Sequence, residues 1–302
     1  MKFSCLCVLL LLSTFAAAAN TELQTLKVDG NARLYLLHDF SHGKPAPLVI
    51  LLHGGGGSGD NMAGQTGFDE LAKREGLVTA YPYGSNRLFN ERLLTWNAGH
   101  CCAYAMTGKI DDVHFISMLI DELVASGKVD PTRVYVTGLS NGGMMTHKLG
   151  IALHDKLAAI APVISSLFGD EPVHEFKLPT LIINGADDET VKPQGGELKI
   201  AALSGPLGRQ AAADKPVLPI VSQSEYWARV NGCTHYTTNS TENFDLRSYD
   251  DCRNSSAVQS YVVKHNGHAW PGGTAPRKQA AQPTQAVNAN ELIWSFFSQY
   301  HR

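Results

Sequence analysis

One serine of this chain lies where its neighbours have almost no side chains. Ser140 is near the centre of the stretch VYVTGLSNGGMM (134–145), and Gly138 and Gly142 lie two residues to either side of it. A Gly-x-Ser-x-Gly segment of this kind is typical of a sharp turn between a strand and a helix, where larger neighbours would collide with the strained serine backbone. Such open space suits a hydroxyl that a reactant must reach. We therefore predict that Ser140 is a nucleophile.

A serine hydroxyl needs a nearby base, and histidine is the usual one. Among the 12 histidines of the chain, His268 stands out because it lies in HNGHAWPGG, a glycine-rich loop near the C-terminus that follows the strand-like segment SYVVK. His265 is its nearest rival, but it lies closer to that segment and has no glycine directly before it. We predict that His268 is the base.

The base in turn needs a carboxylate that fixes its tautomer and stabilises its charged form. The segment LPTLIINGADDETV is a strand-like run that ends in an acidic loop, and it lies between the serine and the histidine in the chain. The order serine, acid, histidine is that of one class of serine hydrolases. Asp187 and Asp188 are both candidates for the acid, and their position alone does not separate them.

Two backbone N–H groups are expected to stabilise a developing oxyanion. One is that of Asn141, directly after the serine, at the start of a predicted helix. The other is that of Gly55, in the loop HGGGGSG (53–59) that follows the apolar run PLVILLH. A phosphate-binding loop is excluded as an alternative because no Gly-Lys-Ser/Thr sequence follows these glycines.

Strand-like and helix-like segments alternate along the chain and would position these residues. Short apolar runs such as PLVILLH and LPTLIINGA are typical of strands buried on both faces, and amphipathic helical segments lie among them. The pattern predicts a doubly wound, mostly parallel sheet with helices on both faces, with antiparallel strands at the edge formed by residues 25–37. Residues 194–220 are the least regular stretch, and 20–302 are predicted to form a single domain.

The N-terminal segment MKFSCLCVLLLLSTFAAAAN indicates export. A lysine, a short apolar run and a tail of small residues predict a signal peptide over residues 1–19, and hence a secreted or periplasmic protein without a membrane anchor.

In an oxidising compartment we expect a disulfide between Cys233 and Cys252, which flank a polar stretch. Cys101 and Cys102 are adjacent, and the sequence leaves open whether they form a disulfide or remain thiols.

Composition excludes several classes of partner. The 302 residues carry a formal net charge of −3, and aromatic residues do not alternate with basic clusters, so nucleic acid is not expected as a partner. No Cys-x-x-Cys pair supports a zinc site, and no metal is predicted.

Long motifs in the chain resemble a known family. HGGGG, TWNAGHCC, IDDVHF, VDPTRVYVTGLSNGGMM, NGADDETV, GHAWPGG and ANELIWSFF follow one another in the order found in secreted polyhydroxybutyrate depolymerases and feruloyl esterases. The resemblance extends from about Leu36 to Phe297 and implies an α/β-hydrolase related to carbohydrate esterase family 1. It implies hydrolysis of carboxylic esters through an acyl-enzyme, without a cofactor, and therefore an ester substrate as the partner.

The resemblance also implies roles for single residues. It makes Ser140 the nucleophile and His268 the base, and it aligns Asp188 with the acid of the family pattern H-G-T-x-D-x-x-V. Asn184 and Ala186 depart from that pattern. Trp96 and Trp270 lie in motifs beside the expected site, where they either form an aromatic wall for the substrate or pack in the core.

Two other functions are compatible with these residues. A serine peptidase uses the same set of groups, and a non-catalytic binding protein can retain the fold. Among esterases, feruloyl or acetyl esters of polysaccharide compete with short-chain hydroxyalkanoate esters as the substrate. No separate substrate-binding domain is visible in the sequence, which favours soluble esters over a solid polymer.

Overall fold

The computed structural model describes residues 20–87, 90–198, 213–275 and 280–302. The predicted signal peptide, residues 1–19, lies outside the described residues, as do residues 199–212 of the irregular stretch 194–220. The described ranges contain ten strands that form one sheet, with the bounds β1 (Asn20–Val28), β2 (Asn31–Asp39), β3 (Ala46–Leu52), β4 (Val78–Pro82), β5 (Val129–Leu139), β6 (Ala159–Val163), β7 (Thr180–Gly185), β8 (Thr237–Ser240), β9 (Phe244–Tyr249) and β10 (Val258–Val263).

The sheet has a parallel centre and antiparallel edges. The strand order is β1-β2-β4-β3-β5-β6-β7-β10-β9-β8. The strands from β4 to β10 in this order pair in parallel, whereas β1 and β2 at one edge and β9 and β8 at the other pair antiparallel. The predicted mostly parallel sheet and its antiparallel N-terminal edge are confirmed. The carboxyl ends of the parallel strands therefore meet at one edge, where α/β proteins bind their ligands.

Helices cover both faces of the sheet. The helices of the described ranges are α1 (Gly59–Thr66), α2 (Phe68–Glu75), α3 (Ala103–Thr107), α4 (Asp112–Ala125), α5 (Asn141–Ala152), α6 (Val221–Asn231) and α7 (Ala289–Phe297). Alternate residues of β3 belong to different apolar clusters: Ile50 packs with residues of α4, α5 and α6, and Leu51 packs with residues of α1, α2 and α7. Because every residue of β3 is buried, this strand has the continuous apolar sequence of a two-sided core strand.

One hairpin was not predicted. Strands β8 and β9 lie within the polar stretch between Cys233 and Cys252, for which no strand is predicted from the sequence. All four residues of β8 are exposed, so this edge strand lacks the apolar alternation by which strands are recognised. The disulfide between Cys233 and Cys252 is present and closes the segment that contains the hairpin.

A membrane-spanning helix, which would have to be both long and apolar, is not found within the described ranges.

Candidate active site

Ser140 lies on a tight turn between β5 and α5. Its backbone is in the left-handed region, with φ 56° and ψ −117°, which is strained for a residue with a side chain. A Cβ atom on Gly138 would lie 2.5 Å from the carbonyl oxygen of Gly142, and a Cβ on Gly142 would collide with the carbonyl oxygen of Leu52. The two glycines thus allow the turn to form, for the reason that the sequence suggests.

The imidazole of His268 connects the serine to a carboxylate. Its Nε2 lies 2.9 Å from Ser140 Oγ, and its Nδ1 lies 2.8 Å from Asp188 Oδ2. Because an ionised carboxylate only accepts hydrogen bonds, Nδ1–H donates to Asp188 and Nε2 is left to accept the proton of the serine hydroxyl. The geometry is that of a nucleophile, a base and an acid that orients the base.

The structure separates the two candidate acids. Asp188 has a side chain that is 2% exposed, and its second oxygen, Oδ1, accepts the backbone N–H groups of Thr190 at 2.7 Å and Val191 at 2.9 Å. Asp187 is exposed. The turn that follows Asp188 therefore holds its carboxylate towards His268, and Asp187 points elsewhere.

The loop that carries His268 is organised by a buried amide. Asn266 donates hydrogen bonds through Nδ2 to the carbonyl oxygens of Gly267 at 3.0 Å and Ala269 at 2.9 Å. Its Oδ1 accepts the N–H of Thr284 at 3.0 Å. His265, the rival base, is exposed, and it does not take part in the contacts with Ser140.

The two expected oxyanion donors lie next to each other. A Cβ atom on Gly55 would lie 3.6 Å from the Cβ of Asn141. Elsewhere in this loop, the N–H of Gly56 donates to Leu94 O at 2.8 Å and that of Gly57 to Gly54 O at 3.0 Å. Among the described residues, no acceptor pairs with the N–H of Gly55 or of Asn141. Both groups can therefore donate to a bound oxyanion.

His53 holds the oxyanion loop in place, although it was not among the predicted site residues. Its Nδ1–H donates to Gly54 O at 2.8 Å, and its Nε2 accepts the N–H of Gly84 at 3.0 Å. Burial lowers the pKa of His53 to about 4, so the ring is neutral, as these two bonds require. A histidine directly before a run of glycines is the sequence signal that could have identified it.

The expected aromatic wall is not present. Trp96 and Trp270 are only 0% and 1% exposed, so no substrate can contact their rings from the surface. The indole N–H of Trp96 donates to the carbonyl oxygen of His53 at 2.9 Å, and that of Trp270 donates to Asn290 Oδ1 at 2.9 Å. The interpretation as substrate-binding residues is wrong for both, and the core-packing alternative applies, because each ring fills the interior and satisfies its one donor there.

The side chain of Asn141 attaches the nucleophile turn to a neighbouring segment. Its Oδ1 accepts the N–H of Trp96 at 2.7 Å, and its Nδ2 donates to the carbonyl oxygen of the same residue at 3.1 Å. Nδ2 also lies 3.8 Å from Cys101 Sγ, and a disulfide joins Cys101 to Cys102. Both cysteines are buried, so the pair lies in the interior next to Asn141.

A second buried histidine anchors α5 behind the serine. His147 accepts the indole N–H of Trp227 on Nδ1 at 2.9 Å, and its Nε2–H donates to Gln223 Oε1 at 2.7 Å. Gln223 in turn donates to the carbonyl oxygen of Ser165 at 2.7 Å. Burial lowers the pKa of His147 to about 4, so the folded protein holds this ring neutral.

This shift predicts a loss of stability in acid. The pKa of histidine in an unfolded chain is about 6.5, so the unfolded state of the protein binds a proton at His147 that the folded state excludes. The stabilisation is complete above pH 6.5 and is lost as the pH falls towards 4, with a total of about 3 kcal/mol for this residue. Urea unfolding from pH 7 to 4.5 measures it. His147→Gln should weaken the pH dependence, and His301→Gln, at an exposed position, should leave it unchanged. Equal pH dependence in all three proteins would contradict the assignment.

The described part of the chain contains no group of three or more His, Cys, Asp or Glu side chains that could hold a metal ion.

The chain is similar to several known proteins. Residues 33–175 match the family model described as esterase PHB depolymerase. The chain is 30% identical over 281 residues to NocK of Nocardia uniformis subsp. tsuyamanensis, a protein named as an esterase, and the match covers 87% of this chain and 78% of NocK. It is 29% identical to feruloyl esterase B of Piromyces equi, with 78% of this chain and 41% of that protein covered.

A solved structure shows a similar fold. The acetyl xylan esterase from Aspergillus awamori superposes with a TM-score of 0.60 at 14% sequence identity, covering 92% of this chain and 99% of its own. At this identity the likeness concerns the fold, which is that of an α/β-hydrolase.

Proposed function

Because the chain belongs to the esterase family of the polyhydroxybutyrate depolymerases, and is a carboxylic-ester hydrolase, we propose that it acts through an acyl-enzyme formed on Ser140. The observation that carries this proposal is the continuous set of contacts from Ser140 Oγ through His268 to Asp188, at 2.9 and 2.8 Å. Hydrogen-bonded sets of this kind activate serine in unrelated hydrolases.

In the first half of the reaction, Ser140 Oγ attacks the ester carbonyl carbon while its proton passes to His268 Nε2. The carbonyl oxygen becomes an oxyanion that accepts the N–H groups of Gly55 and Asn141. Asp188 keeps its hydrogen bond to Nδ1–H and stabilises the imidazolium. The tetrahedral intermediate then collapses, the bond to the alcohol oxygen breaks, and His268 gives the proton to the leaving alcohol.

In the second half, water releases the acid. His268 Nε2 accepts a proton from a water molecule as the water oxygen attacks the acyl carbon of the ester on Ser140. The same two N–H groups bind the second oxyanion. When this intermediate collapses, the acid leaves and the proton returns from His268 to Ser140 Oγ, so the enzyme is restored.

The substrates that we propose are soluble carboxylic esters, either feruloyl or acetyl esters of plant polysaccharide or short-chain hydroxyalkanoate esters. The names of the relatives support this range, since they include a feruloyl esterase, a bifunctional acetylxylan esterase and xylanase, and a poly(3-hydroxyalkanoate) depolymerase. We also propose that residues 20–302 form one catalytic domain, and that residues 1–19 direct it to the periplasm or out of the cell. The disulfide between Cys233 and Cys252 supports an oxidising compartment.

A panel of substrates tests this function. We expect turnover of p-nitrophenyl acetate, p-nitrophenyl butyrate, methyl ferulate or 3-hydroxybutyrate oligomers, with the highest kcat/KM identifying the acyl group, and no comparable turnover of peptide amides. The measurement is initial rates on the folded wild-type protein. Amide turnover that equals ester turnover would indicate a peptidase. No turnover of any ester would indicate a non-catalytic binding protein.

A further inference from the structure

A cavity of about 980 Å³ lies beside the proposed active site and does not include its residues. Its walls come from three segments: the turn between β1 and β2 with the start of β2, the loop after β4, and residues 104–111. The carboxyl end of β4 pairs with the middle of β2, where Tyr35 is opposite Pro82, so the start of β2 extends past that end. The cavity therefore opens at the same edge of the sheet as Ser140.

The cavity is separated from the oxyanion loop by one layer of residues. Gly84 and Leu94 line it, and both bond to that loop: the N–H of Gly84 donates to His53, and the carbonyl oxygen of Leu94 accepts from Gly56. Ser140 follows β5, and β2 is three places away from β5 in the sheet. Strands are about 4.8 Å apart, so β2 and β5 are offset across the sheet by about 14 Å. A chain-like substrate whose scissile ester lies at Ser140 can span this offset.

A fixed cation forms part of the cavity wall. The side chain of Arg33 is 10% exposed, its NH2 bonds to Asp112 Oδ1 at 2.7 Å and to the carbonyl oxygen of Tyr83 at 3.3 Å, and its guanidinium lies 4.0 Å over the ring of Phe115. Among the described residues, no partner pairs with its Nε or NH1. Because Arg33 lines the cavity, it can supply these donors to a ligand without having to be ordered by it.

The exposed edge of the cavity carries acidic and basic side chains in nearly equal number. Asp29, Glu91 and Asp111 are exposed acids, and Arg92 and Lys109 are exposed bases. A strongly charged ligand would meet repulsion from one of these sets. A hydroxyl group both donates and accepts, so it can bond to either set, whereas a polyester has only acceptor oxygens and gains nothing from carboxylates.

We propose that this cavity binds the neutral sugar chain to which the ester is attached. The proposal rests on the proposed function and extends it, because it assigns the alcohol part of the substrate to oligosaccharide. The scissile ester lies at Ser140, and the sugar units next to it lead along the carboxyl edge of the sheet to Arg33.

A blocking variant tests the proposal with two substrates that share one acyl group. Ala32 lines the cavity, is exposed and offers no polar side-chain group, so Ala32→Trp fills space without removing a contact. We expect kcat/KM for a feruloylated arabinoxylo-oligosaccharide to fall by about tenfold or more, and that for methyl ferulate to change less than twofold. The matched control Thr238→Trp adds the same ring to an exposed position of β8, at the far edge of the sheet, and should change neither value. Equal effects of Ala32→Trp on both substrates would overturn the proposal.

Binding of ester-free sugar separates this inference from the catalytic assignment. Calorimetry with xylotetraose and the Ser140→Ala protein should show saturable binding that Ala32→Trp weakens by about tenfold or more. Because this binding measurement does not depend on turnover, it tests the cavity even if Ser140 is not the nucleophile. Absence of xylotetraose binding, or binding that Ala32→Trp leaves unchanged, would overturn the proposal. Preferential binding of a 3-hydroxybutyrate tetramer in the cavity would overturn its assignment to sugar.

Discussion

The Ser140→Ala variant is expected to hydrolyse esters with a kcat/KM about 10⁴- to 10⁶-fold below that of the wild type. The loss is large because no other group in the site can form the acyl-enzyme once the hydroxyl is removed. The fold should be unaffected, since the hydroxyl bonds to His268 and the strained backbone of the turn is held by Gly138 and Gly142. Initial rates on the best ester of the panel measure the change.

A second serine variant provides the control. Ser298→Ala removes an exposed hydroxyl after α7, whose bond is to the carbonyl oxygen of Ser295, and it should retain full activity. Circular dichroism and the melting temperature of both variants should match those of the wild type. Turnover by folded Ser140→Ala within tenfold of the wild type would show that the reaction does not pass through this serine.

The second large effect distinguishes two adjacent acids. Asp188→Asn is expected to lower kcat by about 10⁴-fold near neutral pH, and Asp187→Asn to change it less than threefold. An amide at position 188 can donate to His268 Nδ1, which favours the tautomer that carries its proton on Nε2. That tautomer cannot accept the proton of Ser140. Steady-state kinetics of the two variants at one pH measure the difference.

Stability measurements separate this effect from misfolding. The oxygen of an asparagine at position 188 can still accept the N–H groups of Thr190 and Val191, so Asp188→Asn should remain folded. A melting temperature close to that of the wild type, together with the loss of kcat, indicates a defect in the orientation of His268. A similar kcat for Asp188→Asn and Asp187→Asn would contradict the assignment of the acid.

Much of the fold could be predicted because its central strands are apolar throughout. Strands such as β3 and β7 are buried on both faces, and this requirement leaves a continuous apolar run in the sequence. Strand β8 has no such requirement: it lies at the edge of the sheet, its side chains are exposed, and Thr, Asn and Ser suit it as well as they suit a loop. Its pairing depends on β9 and on a hairpin turn, and nothing in the sequence of β8 itself records that pairing.

The identity of the site residues could be predicted more securely than the positions of the side chains around them. Ser140 is marked by glycines that the backbone requires, and His268 by its place in a glycine-rich loop after a strand. The two tryptophans could not be placed from the sequence, because a large ring near a site can face either the cleft or the core. The indole N–H of Trp96 finds its acceptor in the interior, on the carbonyl oxygen of His53, and this contact between distant segments has no local signal.

Asp187 and Asp188 could not be separated from the sequence alone for a similar reason. Adjacent residues of a loop share the same composition and neighbourhood in the sequence, so only the resemblance to a family pattern favoured Asp188. In the structure, the turn at Thr190 and Val191 fixes which carboxylate faces His268. Turns of this kind depend on the backbone angles of several residues, and an Asp-Asp pair is compatible with more than one of them.

Covalent labelling tests most directly whether Ser140 is the nucleophile. The wild-type protein is treated with a fluorophosphonate, which phosphonylates activated serines, and the adduct is located by mass spectrometry of its peptides. One adduct per chain is expected, on the peptide that contains Ser140, with loss of ester hydrolysis in proportion to labelling. An adduct on another residue that abolishes activity, or full activity after Ser140 is labelled, would contradict this assignment.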